Sequence, residues 1–414
     1  MRITYIHQYF NTPSMPGGTR SYEMARRLVS MGHEVNVITS FQEQGKKPQW
    51  FETKESGINV HWFPIPYSNN MTYSQRLKAF LIFIWRSSSK AALLKADIIF
   101  ATSTPLTVAI PAVYASYKHK VPMVFEVRDL WPEIPIAMGI LRDPISCAIA
   151  RGLESWAYRH SEAIIALSPG MKTGVASTGF PLNRIAVIPN SSDNKEFKYN
   201  EKLAKDFRSD RPWIADDPLL VYAGTFGKMN GVGYAVALAK ELIAISSDIK
   251  ILLVGDGAER NTIINEAKKA GVFEKNIFFE GKMPKEQVPA LLSAATMSAS
   301  FFINLPEMRN NSANKFFDSL AAGKPVFLNY GGWMHDLVLS HKCGFAAWEK
   351  PTQEVAVELD KVMHDLKWLY KSGLSAQKLA EKKFDRDVLA LQLENILVAV
   401  QSGDLKLVEQ IIRG

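Results

Sequence analysis

The sequence predicts an α/β chain of two successive doubly wound units, and three observations carry that prediction. Short apolar, β-branched runs alternate with helical patterns along most of the chain, as expected of parallel strands covered on both faces. A length of 414 residues exceeds what one core ordinarily spans. The loops directly after the runs are rich in glycine, asparagine and charge, and open parallel sheets collect ligands at that edge.

In the first half the runs are Ile3–Ile6, Val35–Thr39, Val60–Phe63, Ile98–Ala101, Met123–Val127, Ala163–Leu167 and Ile185–Ile188. After the first run, Gly17 and Gly18 open a helix whose N-cap is expected at Thr19 or Ser21. Residues without side chains at a helix start let a ligand approach the backbone, although a tight turn alone also accounts for the pair. After Met123–Val127 comes the charged pair Arg128 and Asp129, either a ligand-facing group or a buried ion pair. Residues 71–95 hold the apolar core Phe80–Trp85 flanked by Arg76, Lys78, Arg86, Lys90 and Lys95, with no acidic residue. That composition fits a helix lying in the headgroup region of an anionic leaflet, or one packing on the sheet with a solvated basic edge.

The polar stretch Pro189–Asp217 is the expected crossing between domains. A second alternation follows: Leu219–Tyr222, Ile251–Val254, Ile277–Phe279, Met297–Phe302 and Val326–Leu328. Gly224, Thr225, Lys228, Asn230 and Gly231 follow its first run and precede a helix, where phosphate binding is expected. Gly255 follows the second run and Gly281 the third. Met308–Pro325 begins as a polar loop and becomes an amphipathic helix at about Lys315, ending at Gly323 with Pro325 behind it. Asn310, Asn311, Ser312 and Asn314 are N-cap types, so amide N–H groups gather at that start. Lys315 adds positive charge where an isolated helix disfavours it, a conflict that an anion resolves. Asp318, one turn on, is placed to accept from sugar hydroxyls. The boundaries expected are 1–195 for the first domain and 196–389 for the second, with a helix of about 390–414 packing back on the first.

Hydrophobic content of 47% with 22% charged residues excludes a disordered chain. Cys147 and Cys343 show no pairing pattern, which excludes a disulfide scaffold and a cysteine metal site. The eight histidines are scattered, so no metal site is expected. The chain opens on a strand-like MRITYIH without a signal-peptide pattern, and no apolar run approaches bilayer length. A cytoplasmic protein is expected. The net charge of +8 suits an anionic substrate or a membrane surface, while its dispersal argues against nucleic acid as a partner.

The stretches EVRDLWPE (Glu126–Glu133), VYAGTFGKMNG (Val221–Gly231), VGDG (Val254–Gly257) and SANKFFDSLAAGKPV (Ser312–Val326) resemble the GT-B glycosyltransferases of family four. Within these retaining nucleotide-sugar transferases, the resemblance is closest to the WbuB-type amino-sugar transferases of bacterial O-antigen and capsule assembly. It implies two Rossmann-like domains facing across a cleft. It also implies a UDP-sugar donor, no separate cofactor, and a polyprenyl-diphosphate-linked or other glycan acceptor at the inner face of the cell membrane. By position, Gly17 and Gly18 serve the donor pyrophosphate and sugar, and Lys228 neutralises the diphosphate with Lys315. Gly281, Lys282 and Met283 hold the base, Asp318 the ribose, and Asn310 and Asn311 lie by the donor sugar. The sequence departs from the family at three places. The first acidic residue of the Glu-x7-Glu pattern has no clear counterpart, with Asn310 at that spacing from Asp318 and Glu307 just before it; Thr225 replaces an arginine, and Arg128 replaces a histidine before Asp129, leaving Arg128 and Asp129 to orient sugar or acceptor. A UDP-sugar 2-epimerase of the same architecture and a non-catalytic nucleotide-sugar-binding protein are the alternatives.

Overall fold

A computed structural model describes residues 1–413 apart from Pro16, Gln44, residues 68–70 and the side chain of Tyr73. Gly414, the last residue of the expected 390–414 helix, lies outside the described residues. The chain divides into two compact units, Met1–Pro189 with Asp387–Gly414, and Asn190–Arg386. The divisions thus fall at Pro189 and Arg386, against residues 195 and 389 in the sequence reading.

The first unit is an eight-stranded sheet of β1 (Arg2–Ile6), β2 (Glu34–Phe41), β3 (Phe51–Glu55), β4 (Ile58–Pro64), β5 (Ile98–Thr102), β6 (Met123–Val127), β7 (Ala163–Ala166) and β8 (Ile185–Val187). Its order is β3-β4-β2-β1-β5-β6-β7-β8. The pairs are parallel except β3 with β4, where Phe51 opposes Trp62 and Glu55 opposes Ile58. Every residue of β5, β6 and β7 is buried, which is why those strands read as unbroken apolar runs. The edge strand β3, FETKE, has no such run and was not expected; its charges suit an exposed sheet edge.

Helix α1 (Arg20–Ser30) buries Met24, Ala25 and Leu28 against the sheet. Helix α2 (Tyr73–Ala91) is started by a capping box, in which the Thr72 hydroxyl accepts from the Gln75 amide and the Gln75 side chain returns to the Thr72 amide. Ala79, Phe83 and Ala91 of α2 are buried, and burial of Phe83 alone contributes about 1.5–3 kcal/mol. Leu77, Leu81 and Trp85 stay exposed one turn apart. Neither α2 nor any other described helix is long and apolar enough to cross a membrane.

The second unit is a six-stranded parallel sheet of β9 (Leu219–Ala223), β10 (Lys250–Val254), β11 (Ile277–Glu280), β12 (Met297–Ser300), β13 (Val326–Leu328) and β14 (Gly344–Ala346), in the order β11-β10-β9-β12-β13-β14. The short β14 was not expected from the sequence. β12 stops at Ser300, two residues before the end of its apolar run. The stretch expected as a polar crossing instead carries helices Asn194–Phe197 and Glu201–Ser209, whose Phe197, Ala204 and Phe207 are buried. Helix α3 (Asn314–Ala321) buries Phe316, Phe317 and Leu320, and Gly323 follows it at φ +64.

Helices α4 (Arg386–Gln401) and α5 (Leu405–Arg413) return to the first unit. Leu389, Leu393, Ile396, Leu397 and Val408 share one core with Ile3, Tyr5, Val35 and Val37. Strand order reverses between β1 and β5 in the first unit and between β9 and β12 in the second, and such reversals open a crevice at the carboxyl ends of the strands.

Candidate functional site

In the second unit Lys315, after β12, meets Tyr222 and Gly224, at the end of β9, at that reversal. The Lys315 ammonium, on the first turn of α3, donates to the Tyr222 hydroxyl of β9 at 3.0 Å and lies 4.2 Å from the centre of that ring. Burial lowers its pKa to about 7. No carboxylate among the described residues pairs with it. Gly224, next on the β9 loop, leaves room for this lysine, since a Cβ there would meet the ammonium at 2.9 Å. The Tyr222 hydroxyl in turn donates to the Thr225 carbonyl at 2.8 Å.

The start of α3 is not capped as expected. Its N-cap is Ala313, which has no side-chain acceptor. The Ser312 hydroxyl accepts from the Asn190 amide at 3.1 Å, and the Asn190 side chain donates to the Ser312 carbonyl at 2.5 Å. Asn314 is exposed and is the first residue of the helix rather than its cap, and no side-chain hydrogen bond caps the first turn. The positive end of the helix dipole is thus open beside the buried ammonium, a site for an anion. The Asn311 carbonyl accepts from the Trp333 indole at 2.7 Å, and Asn310 ends the short turn Pro306–Asn310.

The other loops of this edge are held by glycines. A Cβ on Gly255 would lie 1.9 Å from the Gly224 carbonyl oxygen, and one on Gly257 2.5 Å from that of Phe226. Close backbone approach between the β9 and β10 loops therefore accounts for Gly255. Gly231 sits at φ +55 beside the backbone of Ile303, ending the turn Lys228–Asn230. Lys228 is exposed and without an ion pair among the described residues. Gly281 and Lys282 are exposed, Lys282 3.7 Å from Asp256, and Met283 is half-buried.

Asp318 faces a polar cluster at the start of this unit. Burial pushes its carboxyl up to about 6, against the charges of Arg386 and Lys285 and the nearby Ser192 hydroxyl. Arg386 itself bonds Asp193 and the Ser191 carbonyl.

Gly17, Gly18, Arg128 and Asp129 belong to the first unit, at the carboxyl ends of β1 and β6. Gly17 has φ +124, and a Cβ there would meet the Asn11 side chain at 2.6 Å. Arg128 and Asp129 form no ion pair. The Arg128 amide bonds the Ser103 hydroxyl at 2.9 Å, and its guanidinium reaches His7 Nε2 at 3.5 Å. Burial pushes the Asp129 carboxyl up to about 6, partly opposed by Arg128.

Sequence reasoning missed the group that braces this edge. Arg20 donates through Nε and a terminal nitrogen to Glu126 at 3.0 and 2.9 Å, and also to the Ile188 and Pro189 carbonyls. Thr102 donates to the other Glu126 oxygen at 2.7 Å. Ion-pair partners 106 positions apart leave no periodic signal; the sequence shows only an arginine opening a helix and a glutamate inside an apolar strand. A second group was also missed: Asp248, Asp360 and His364 bring metal-type ligand atoms within 4.8 Å of one another. They lie at the amino end of β10, and His364 is engaged with the Asp248 carboxylate and the Asp360 carbonyl.

Residues 17–191 match the glycosyl transferase 4-like domain and residues 204–379 match the glycosyl transferases group 1. The chain is 21% identical to the glycogen synthase of Mycobacterium tuberculosis, over 98% of this chain and 96% of that protein. It is 21% identical to the capsular polysaccharide biosynthesis glycosyltransferase CapM of Staphylococcus aureus, over 56% of this chain and 60% of the relative. The solved structure of Anabaena Alr3699/HepE in complex with UDP and glucose matches with a TM-score of 0.71 at 18% identity, covering 96% of this chain and 100% of that one. With the two domains matched in succession and a doubly wound sheet in each, the chain belongs to the two-domain GT-B glycosyltransferases.

Proposed function

We propose that this protein is a retaining, UDP-sugar-dependent glycosyltransferase of bacterial surface polysaccharide (O-antigen or capsule) assembly. In this reading it moves an N-acetylamino sugar onto a polyprenyl-diphosphate-linked glycan at the cytoplasmic face of the membrane. The observation that carries it is Lys315: a buried ammonium without a carboxylate partner, beside an uncapped helix start, at the strand-order reversal. HepE, of the same fold, was solved with UDP, and CapM acts in capsular polysaccharide biosynthesis.

In the reaction the bond from sugar C1 to the UDP oxygen breaks and the acceptor oxygen bonds C1 on the same face. The acceptor proton passes to the departing phosphate. Charge builds on the diphosphate as its bond stretches, and Lys315, Lys228 and the amides opening α3 are the groups that stabilise it. Protein cations take the part a metal plays in other transferases, so turnover is expected to persist in a chelator. Gly17 and Gly18 bring backbone amides to the donor, the Gly281–Met283 loop holds the base, and Asp318 accepts from the ribose hydroxyls. Leu77, Leu81 and Trp85 form the membrane-facing stripe of α2, with Lys78 and Arg86 toward the headgroups.

The test is a panel of UDP-sugars scored by the rise in melting temperature, since a ligand bound only to the folded state stabilises it by mass action. The preferred donor is then supplied with lipid-linked acceptor and the released UDP is measured. Epimer formation without acceptor would favour a 2-epimerase. Binding without turnover of any acceptor would leave only a nucleotide-sugar-binding role.

A further inference from the structure

We propose that Arg128 and His7 form a subsite for an anionic oxygen group, a phosphoryl or a carboxylate, at the carboxyl ends of β6 and β1. The inference rests on the glycosyltransferase reading, because it assigns this group to the substrate of that reaction.

Three observations lead to it. The first is the Arg128 guanidinium, half-buried and without a carboxylate partner among the described residues. The nearest candidate along β6, Glu126, is occupied by Arg20 and Thr102. Asp129, the next residue, does not come within ion-pair distance. A half-buried guanidinium ordinarily finds an anion, because its planar fork of donors matches the two oxygens of a carboxylate or phosphoryl group.

The second is the contact with His7. A guanidinium only donates, so His7 Nε2, 3.5 Å away, acts as acceptor and the ring proton sits on Nδ1. Burial and the Arg128 charge push this imidazole well below its ordinary pKa, so the ring stays neutral and adds no second charge beside Arg128, whose own charge acts on Glu126 and Asp129 without a salt bridge to either. His7 is a positioning residue that occupies one edge of the guanidinium.

The third is the set of polar atoms without partners at the same strand end. His7 Nδ1 and both amide atoms of Gln8 are buried without a hydrogen bond, and these residues are only 2% and 0% exposed. Native proteins rarely leave such groups unsatisfied, and a bound polar group or ion is one way they are satisfied. Two neighbouring residues with this property at one sheet edge, at a strand-order reversal, mark a place prepared for polar ligand atoms.

The charge has two sources in a reaction of this class. It is either the diphosphate of the lipid-linked acceptor or a carboxylate on one of the sugars. Inorganic pyrophosphate and glucuronate are the probes that separate them, titrated calorimetrically into the full chain. Measurements use the wild type and the Lys315→Gln, Arg128→Gln and Arg128→Lys variants. In Lys315→Gln, which removes the ammonium of the other unit, one probe is expected to bind still, and its identity names the source. Arg128→Gln is expected to weaken that probe about tenfold or more, the loss typical of a charge-assisted hydrogen bond, with Arg128→Lys between the two. Equal binding of both probes with and without Arg128, or loss of all probe binding in Lys315→Gln, overturns the inference. UDP titrated into the wild type reports separately on the donor reading, so failure of one is distinguishable from failure of the other.

Discussion

The ammonium of Lys315 donates to the Tyr222 phenol at 3.0 Å and lies 4.2 Å from the centre of that ring. No carboxylate among the described residues offsets the lost hydration of this ammonium, so burial brings its pKa from 10.5 to about 7. Between those values the unfolded chain holds the extra proton, so this group makes stability rise with pH from about 7 to 10.5. A bound diphosphate reverses the effect by restoring the charge. UDP binding at pH 8 to 9 is therefore expected to take up protons, seen as binding heats that vary with the ionisation enthalpy of the buffer. Lys315→Met is expected to lose that uptake and to lower kcat/KM by a factor of about 10²–10³ without lowering the melting temperature. Buffer-independent heats in the wild type would remove the lysine from the diphosphate site.

Glycines 224 and 255 are expected to fail in different ways. Alanine at Gly224 crowds the ends of two side chains, the Lys315 ammonium and the Tyr222 hydroxyl, rather than backbone, so Gly224→Ala is expected to weaken UDP binding with little loss of stability. Alanine at Gly255 meets a backbone oxygen at 1.9 Å and a φ of +142, and neither yields easily. Gly255→Ala should cost about 1–3 kcal/mol, read as a melting temperature lower by roughly 2–10 °C. Two variants with the same thermal profile would refute the distinction.

For Asp318 the sign of the effect separates binding from folding. Its folded pKa, about 6, lies above the ordinary 3.8, so the folded state binds the extra proton between those values. Stability from this group is lost as pH rises through that window. Asp318→Asn is accordingly expected to leave the melting temperature at pH 7.5 unchanged or higher while weakening UDP binding. A lower melting temperature together with unchanged UDP affinity would make the carboxylate structural.

Most strands were legible because a strand covered on both faces must be apolar throughout. β5, β6 and β7 stand within a residue of their apolar runs. β3 was invisible for the converse reason, since only Phe51 of its five residues is a large apolar group and its pairing is set by β4. At the site, Lys315 was legible as a misplaced charge, and the glycines as breaks in apolar runs. What could not be read was occupancy: nothing local tells that Asn190 takes the Ser312 hydroxyl, or that Arg20 takes Glu126 and leaves Arg128 without it. Such choices are made by side chains more than 100 positions apart, through tertiary packing alone.

The buried pair Arg20 and Glu126 gives a stability prediction. Burial raises the Glu126 carboxyl, but Arg20, Arg128 and Thr102 outweigh it and leave the pKa below the ordinary 4.5. The stabilisation is therefore present above about pH 4.5 and lost as pH falls through the lower folded value. Arg20→Ala strands the carboxylate and is expected to cost about 3–5 kcal/mol, whereas Arg20→Met with Glu126→Gln together should cost less than the single change. Denaturant melts of the three proteins decide it, and a costlier double variant would contradict it.

The stripe on α2 is tested by flotation with vesicles. Trp85 is 64% exposed and Leu81 57%, so charging them leaves the core intact. Leu81→Glu with Trp85→Glu is expected to shift the protein from vesicles containing anionic lipid to the soluble fraction at an unchanged melting temperature. Recovery in the soluble fraction for both proteins would end the membrane reading of this helix.

The return of α4 and α5 to the first sheet sets an order on biosynthesis. While the chain emerges from the ribosome, residues 1–189 lay down eight strands, yet the face carrying Ile3, Val35 and Val37 stays partly bare until Leu389, Leu393 and Ile396 arrive. Residues 190–386, one uninterrupted stretch, are all synthesised before then and can close their own sheet first. The half made earliest is thus the half finished last, and a nascent chain stalled short of residue 387 would hold a greasy surface ready for chaperones or aggregation.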